Sequence, residues 1–179
     1  MIIQIISNEI LIKIMAVKKI RIIGDPVLRE KSKEVDIIDK KIAQLVGDMI
    51  DTLTADTIAG IGLAAPQIGV LKRIIIVNFN DKIEAFINPA VEIINGEKIE
   101  DEEGCLSIYS IKTKVKRAKK IKIKAIDLKG EKIELDAEDM LSRIFQHEVD
   151  HLNGILFIDH LSPQERKDFL SKINEEFNI

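Results

Sequence analysis

The order of periodic segments in this chain predicts an α+β fold, with antiparallel β-sheets packed around one central helix and a further helix toward each end. Three observations carry that prediction. β-Branched runs and charge–isoleucine alternation fill the middle of the chain, from Arg73 to Leu135. Apolar residues at helical spacing precede them, over residues 38–53. Helix signals return after them, from Ala137 onward.

Length and composition set the frame. At 179 residues the chain suits one domain with a substantial core. A hydrophobic share of 46% and a charged share of 32% fit a soluble globular protein, and a net charge of −3 argues against nucleic acid as the main partner. The single cysteine excludes an intrachain disulfide framework and suits a reducing compartment, which points to the cytoplasm. No uninterrupted apolar run reaches the length of a membrane span. Residues 1–14 are rich in isoleucine, interrupted by Asn8 and Glu9, and lack a positive leading region. That fits neither a secretory signal nor an Arg-rich transit peptide. Met15-Ala16-Val17 reads as a more natural start, so residues 1–14 are expected to be a non-functional leader and residues 15–179 the single domain.

Taken in order, residues 18–23 form a short strand-like run that ends at the turn signal Gly24-Asp25-Pro26. Ile38, Ile42, Leu45, Val46, Met49, Ile50 and Leu53 recur at helical spacing, so one face of that helix belongs to the core. A Gly-rich loop follows over residues 60–69. Residues 73–79 read as a buried strand, because Ile74, Ile75, Ile76 and Val77 are consecutive and β-branched. Residues 85–88 and 90–94 read as two further strands, separated at Pro89 and closed by Asn95-Gly96. An acidic stretch, residues 100–103, leads into Gly104-Cys105-Leu106-Ser107. Residues 112–124 carry eight basic side chains, and from Lys120 charge alternates with isoleucine, as in a strand with one wet face. Lys129-Gly130 turns this strand into residues 132–135 as a hairpin. Asp136 is placed to cap the next helix, which runs through two histidines and stops near Gly154. Ser162, Pro163 and Glu165 make a capping-box start for a last helix toward Phe177.

The chemistry concentrates in Gln146-His147-Glu148-Val149-Asp150-His151. Two of the three histidines stand four apart, so a helix brings both to one face, where they can reach one ion. Glu148, between them, can reach a water at that ion without ligating it. This is the H-E-x-x-H pattern of zinc-type hydrolases, with the glutamate as general base. A surface helix with two solvated histidines is the alternative, and a third ligand decides between them. His160 lies beyond Gly154 and off that face. Cys105, the sole thiol, sits in a Gly-flanked loop and would ligate as a thiolate. Spacing alone leaves a buried, inert cysteine equally open.

Three stretches together carry a resemblance. Gly60-Ile61-Gly62-Leu63-Ala64-Ala65-Pro66-Gln67-Ile68-Gly69, Glu103-Gly104-Cys105-Leu106-Ser107 and the histidine motif resemble, in order, the three signature motifs of the bacterial peptide deformylases. Gly24-Asp25-Pro26-Val27-Leu28-Arg29 is similar to that family's amino-terminal region. The resemblance covers the chain from about Ala16 into the last helix. It implies that Cys105, His147 and His151 hold a metal, physiologically Fe2+ and replaceable by Zn2+, Ni2+ or Co2+. It implies hydrolysis of the formyl group from the N-terminal formyl-methionine of nascent proteins, releasing formate. Glu148 would move the water proton to the leaving nitrogen, while the Gln67 amide and the Leu106 backbone N–H would steady the oxyanion. Gly60 and Gly62 would let backbone approach the substrate, and Ile61, Met140 and Ile144 would line the methionine pocket beside the His147 ring.

Two departures from the family pattern stand out. Tyr109 replaces a proline common after the second motif, which bears on the shape of the substrate-binding strand. The tail, Asn174 to Ile179, is acidic and short, so docking on the ribosome is not implied. A small peptidase on the same ligands is the nearest rival reading. A non-catalytic module closed by His160 as a fourth ligand is another.

Overall fold

Four consecutive β-branched residues, Ile74 to Val77, explain how the layers are arranged. Ile74 and Ile76 join one core cluster while Ile75 and Val77 join another, so this strand is covered on both faces and needs no polar alternation. The structure, a computed structural model, describes residues 17–177 apart from Asp56, Thr57, Ala59, Asp81 and Ser110. The expectation for residues 1–14 falls outside the described residues.

On one side lies helix α1 (Lys40–Leu53), capped by the Asp39 side chain, which accepts from the Ile42 N–H at 2.9 Å. Its stripe of Ile42, Val46, Met49 and Leu53 packs with Ile74, Ile76 and Ile87. On the other side lies α2 (Asp139–Leu152), whose Ile144, Phe145, Val149 and Leu152 pack with Ile75, Val77 and Phe86. Phe86 and Phe145 meet edge to face, with centroids 4.8 Å apart. Between the helices runs an antiparallel five-stranded sheet in the order β1 (Gly62–Ala64), β2 (Ile74–Phe79), β3 (Lys82–Ile93), β6 (Lys120–Ile126), β7 (Lys132–Glu138). A separate antiparallel pair, β4 (Lys98–Gly104) and β5 (Lys112–Ala118), delivers Cys105 at its end. A third cluster joins Cys105, Ile108 and Val115 to Phe157 and to Phe169 and Ile173 of the last helix, α3 (Pro163–Phe177).

The expected α+β class, the two flanking helices, the β6–β7 hairpin and the α3 capping box are all present. Ser162 N–H donates to Glu165 Oε2 at 2.8 Å, and Glu165 N–H donates to Ser162 Oγ at 3.3 Å. Gly154 closes α2 in the left-handed region at φ 73°. Three expectations need correction, and one stretch left without an element proves to be a strand. Residues 18–23 join no ladder; they tie two loops, Arg21 N–H to the Gln67 carbonyl at 2.7 Å and Ile23 N–H to the Ser107 carbonyl at 2.8 Å. The two strands expected around Pro89 are one, β3, because the register shifts between Ile87 and Ala90 at a bulge with Asn88 at φ 51°. The acidic residues before Cys105 form strand β4, paired with basic β5 so that Glu100 faces Lys116 and Glu102 faces Lys114. Asp136 caps nothing; it pairs with Lys122 in the sheet, and α2 begins at Asp139 after Glu138. No described helix is long and apolar enough to cross a membrane.

Candidate metal centre

Helix α2 carries His147, Glu148 and His151 on its inner side, and all three are buried. The loop that leaves β4 brings Cys105 onto them. Its sulfur and one nitrogen of each histidine lie within 4.8 Å of one another, close enough to share one ion. Cys105 Sγ stands 3.2 Å from His151 Nε2, and the two imidazole rings cross at 78° with centroids 4.9 Å apart. A thiolate with two imidazoles is a donor set that suits iron, zinc, nickel or cobalt. Thus the residues fit a metal. His160 faces away, with its Nε2 2.7 Å from Asp150 Oδ2, and is no fourth ligand.

His147 is aimed from behind. His147 Nδ1 lies 2.6 Å from Glu103 Oε1, leaving Nε2 for the front of the site. Strand alternation turns Glu103 inward while Glu102 stays exposed. Arg117 also binds Glu103, at 2.7 and 3.1 Å, and reaches Asp150 at 2.5 Å. Arg143 binds Glu103 at 3.0 Å and the Val115 carbonyl at 2.9 Å. Burial alone would push the Glu103 carboxyl up, but the bonds and charges of His147 and Arg117 outweigh it and hold it well below the usual carboxylate range.

The front of the site is differently made. Glu148 Oε2 and His151 Nδ1 are buried with no hydrogen-bond partner among the described residues. Burial pushes the Glu148 carboxyl up to about 7, a value suited to accepting a proton near neutral pH. Gln67 is fixed by its Oε1, which accepts from the Ala64 N–H at 2.8 Å. Its Nε2 is thereby turned toward Cys105 Sγ and Ser107 Oγ, at 3.5 and 3.3 Å.

A cavity of about 290 Å³ opens beside these groups. Its walls include Gly60, Ile61, Gly62, Met140 and Ile144 together with Gln67, Leu106, His147 and Glu148. So every front-face residue expected from the sequence meets in one place, with Cys105 on the wall and His151 behind it. Ile61 and Met140 are half-exposed at the rim. Tyr109 is left-handed at φ 53° and its ring stacks on Phe177, with centroids 4.3 Å apart.

Sequence reasoning missed Glu103, Arg117, Arg143 and Asp150 as the frame behind His147. Arg143 had a signal, since it precedes His147 by one helical turn and so shares its face of the helix. Glu103 had one too, as the inward position of a strand leading to Cys105. Arg117 had none, because it sits among eight basic residues whose other members are solvated.

Three side chains that could hold a metal, on a helix and an adjoining loop beside a buried carboxylate and a cavity, are the arrangement of a metal-dependent hydrolase. Residues 17–167 match the polypeptide deformylase family profile. Peptide deformylase 1 of Clostridium perfringens is 49% identical over 148 residues, covering 82% of this chain and 99% of the relative. The peptide deformylase of Carboxydothermus hydrogenoformans is 46% identical over 153 residues, covering 86% and 99%. A crystal structure of a Legionella pneumophila peptide deformylase superposes with a TM-score of 0.83 at 36% identity, covering 91% of this chain and 96% of that one. The chain belongs to the polypeptide deformylase family. It is a hydrolase that removes the formyl group from the N-terminus of newly made peptides.

Proposed function

We propose that this chain deformylates N-formyl-methionyl nascent peptides in the cytoplasm, with Fe2+ held by Cys105, His147 and His151 and replaceable by Zn2+, Ni2+ or Co2+. The convergence of those three donors beside buried Glu148 carries the reading. When bound, the ion supplies Lewis acidity, which makes water nucleophilic near neutral pH and polarises a carbonyl. Glu148 accepts the proton of the attacking water and passes it to the departing amine nitrogen. Gln67 Nε2 and the Leu106 backbone N–H donate to the formyl oxygen as charge builds on it. Removing one such donor costs about 10²–10³ in kcat. Glu103 holds His147 in the tautomer and orientation a ligand needs.

Ile61, Met140 and Ile144 form the apolar wall that receives the methionine side chain, while Gly60 and Gly62 let the peptide backbone come close. No contact with the ribosome or nucleic acid is part of this reading. Formate release from matched peptides tests it. Formyl-Met peptides should be processed faster than formyl-Ala ones, each buried methylene contributing about 0.8 kcal/mol. Equal kcat/KM for the two would remove the pocket assignment. Protein loaded anaerobically with Fe2+ should outperform the Zn2+ form and fade in air. Equal activity and no effect of air would remove iron.

A further inference from the structure

The glycine at position 62 has a second reason to lack a side chain. A Cβ there would stand 2.9 Å from Glu148 Cδ and 3.0 Å from Cγ, with Oε1 nearer still. Non-bonded carbons do not share such space, so a larger residue must move the carboxylate, the strand or the helix. Backbone freedom is not the cause. The φ of Gly62 lies outside the left-handed region, and the residue pairs with Val77 in an ordinary antiparallel ladder.

Position 60 makes the contrast. A Cβ there would be tight only against the Cδ1 tips of Leu53 and Leu106, each at 3.0 Å, which are ends of side chains that can turn aside, with the Gly62 carbonyl at an ordinary 3.6 Å. At position 62 the overlap reaches Glu148 Cγ as well as its carboxylate, so turning the tip aside does not clear it. The face of β1 toward α2 is built from Gly62 and Ala64, and Ala64 packs in the same cluster as Phe145 and Val149. Small residues on that face let the helix lie close, and Gly62 leaves the gap that the carboxylate fills.

We propose that Gly62 is a positioning residue for Glu148, setting the carboxylate's place at the cavity wall by the clearance it leaves. The proposal rests on Glu148 being the proton carrier. The substitutions Gly62→Ala and Glu148→Asp, singly and together, test it, with Glu148→Gln alongside. All proteins are loaded with Fe2+ and assayed for metal content, melting temperature, kcat and KM on a formyl-Met peptide. Gly62→Ala should keep its metal and lose about 10²-fold in kcat, the scale of an ångström misplacement. In the Glu148→Asp background, whose carboxylate is one methylene shorter, the same change should cost less than about threefold, since contacting residues are non-additive.

A raised KM with unchanged kcat, or an equal kcat loss in both backgrounds, overturns the proposal. If Gly62→Ala does not fold, the double variant against Glu148→Asp decides. Near-equal kcat supports clearance, and a loss of about 10² overturns it. A fully active Glu148→Gln protein removes the proton-carrier reading and the proposal with it. An inactive one beside a fully active Gly62→Ala protein overturns the proposal alone.

Discussion

Two sets of ion pairs in this molecule use the same chemistry in opposite settings. Across β3, β6 and β7, Lys120–Glu138, Lys122–Glu134 and Lys124–Glu92 pair at 2.7, 3.0 and 3.2 Å, and every partner is at least a third exposed. Behind His147, Glu103 meets Arg117 at 2.7 Å and Arg143 at 3.0 Å, with every partner's side chain no more than 5% exposed. Distance does not separate the two sets. Solvent does. An exposed pair is screened and its lysine swings freely, so losing one partner costs little. A buried pair that loses a partner leaves a charge that water cannot reach. The buried set also touches His147, one of the three proposed metal ligands, through Glu103.

Removing one charge at a time separates the two settings. Glu103→Gln keeps the shape but leaves Arg143 with carbonyl partners only and Arg117 with Asp150 as its one carboxylate, and should cost about 3–5 kcal/mol in denaturant unfolding. It should also weaken metal binding about 10–100-fold by competition titration, since His147 loses its rear partner. An unchanged unfolding midpoint would show that the arginines find other acceptors. Arg117→Met should come next. It leaves Glu103 with Arg143 and His147, so the stability loss should be smaller than for Glu103→Gln, and metal binding should weaken less in the same titration. A larger effect than Glu103→Gln would place the centre of the network at Asp150. Lys122→Met should leave the unfolding midpoint and the metal affinity unchanged within error. In 1 M salt, where the Debye length is about 3 Å, the surface pairs are screened while the Glu103 variants should keep their deficit. A deficit that vanishes in salt would mean the network is wetter than its burial indicates.

The same contrast explains what could be read in the sequence. Periodicity reported α1, β2 and the β6–β7 hairpin, because those elements face one core or two and their patterns follow from that. His147, Glu148 and His151 were legible because one helix holds all three. Cys105 was not decided by spacing, since it joins them only when the β4–β5 pair folds back, a contact between residues 46 positions apart. Glu103, Arg117 and Arg143 were hidden for a related reason. A charge on a strand reads as solvated unless its partners are known, and these partners come from β4, β5 and α2. Tyr109, the visible departure, finds its account in Phe177, which lies in the last turn of α3.

In the proposed mechanism Cys105, His147 and His151 hold the ion while Glu148 does the proton work, and Glu148→Gln separates those tasks most directly. The substitution keeps the side chain's shape and nearly its volume, and removes its ability to take a proton. Formate release from a formyl-Met peptide and elemental metal content are measured on the same Fe2+-loaded preparations. Metal content should match the unsubstituted protein, while kcat falls by at least about 10²–10⁴ with KM little changed. A Glu148→Gln protein that still releases formate at the original rate, or one that has lost its metal, would contradict the account.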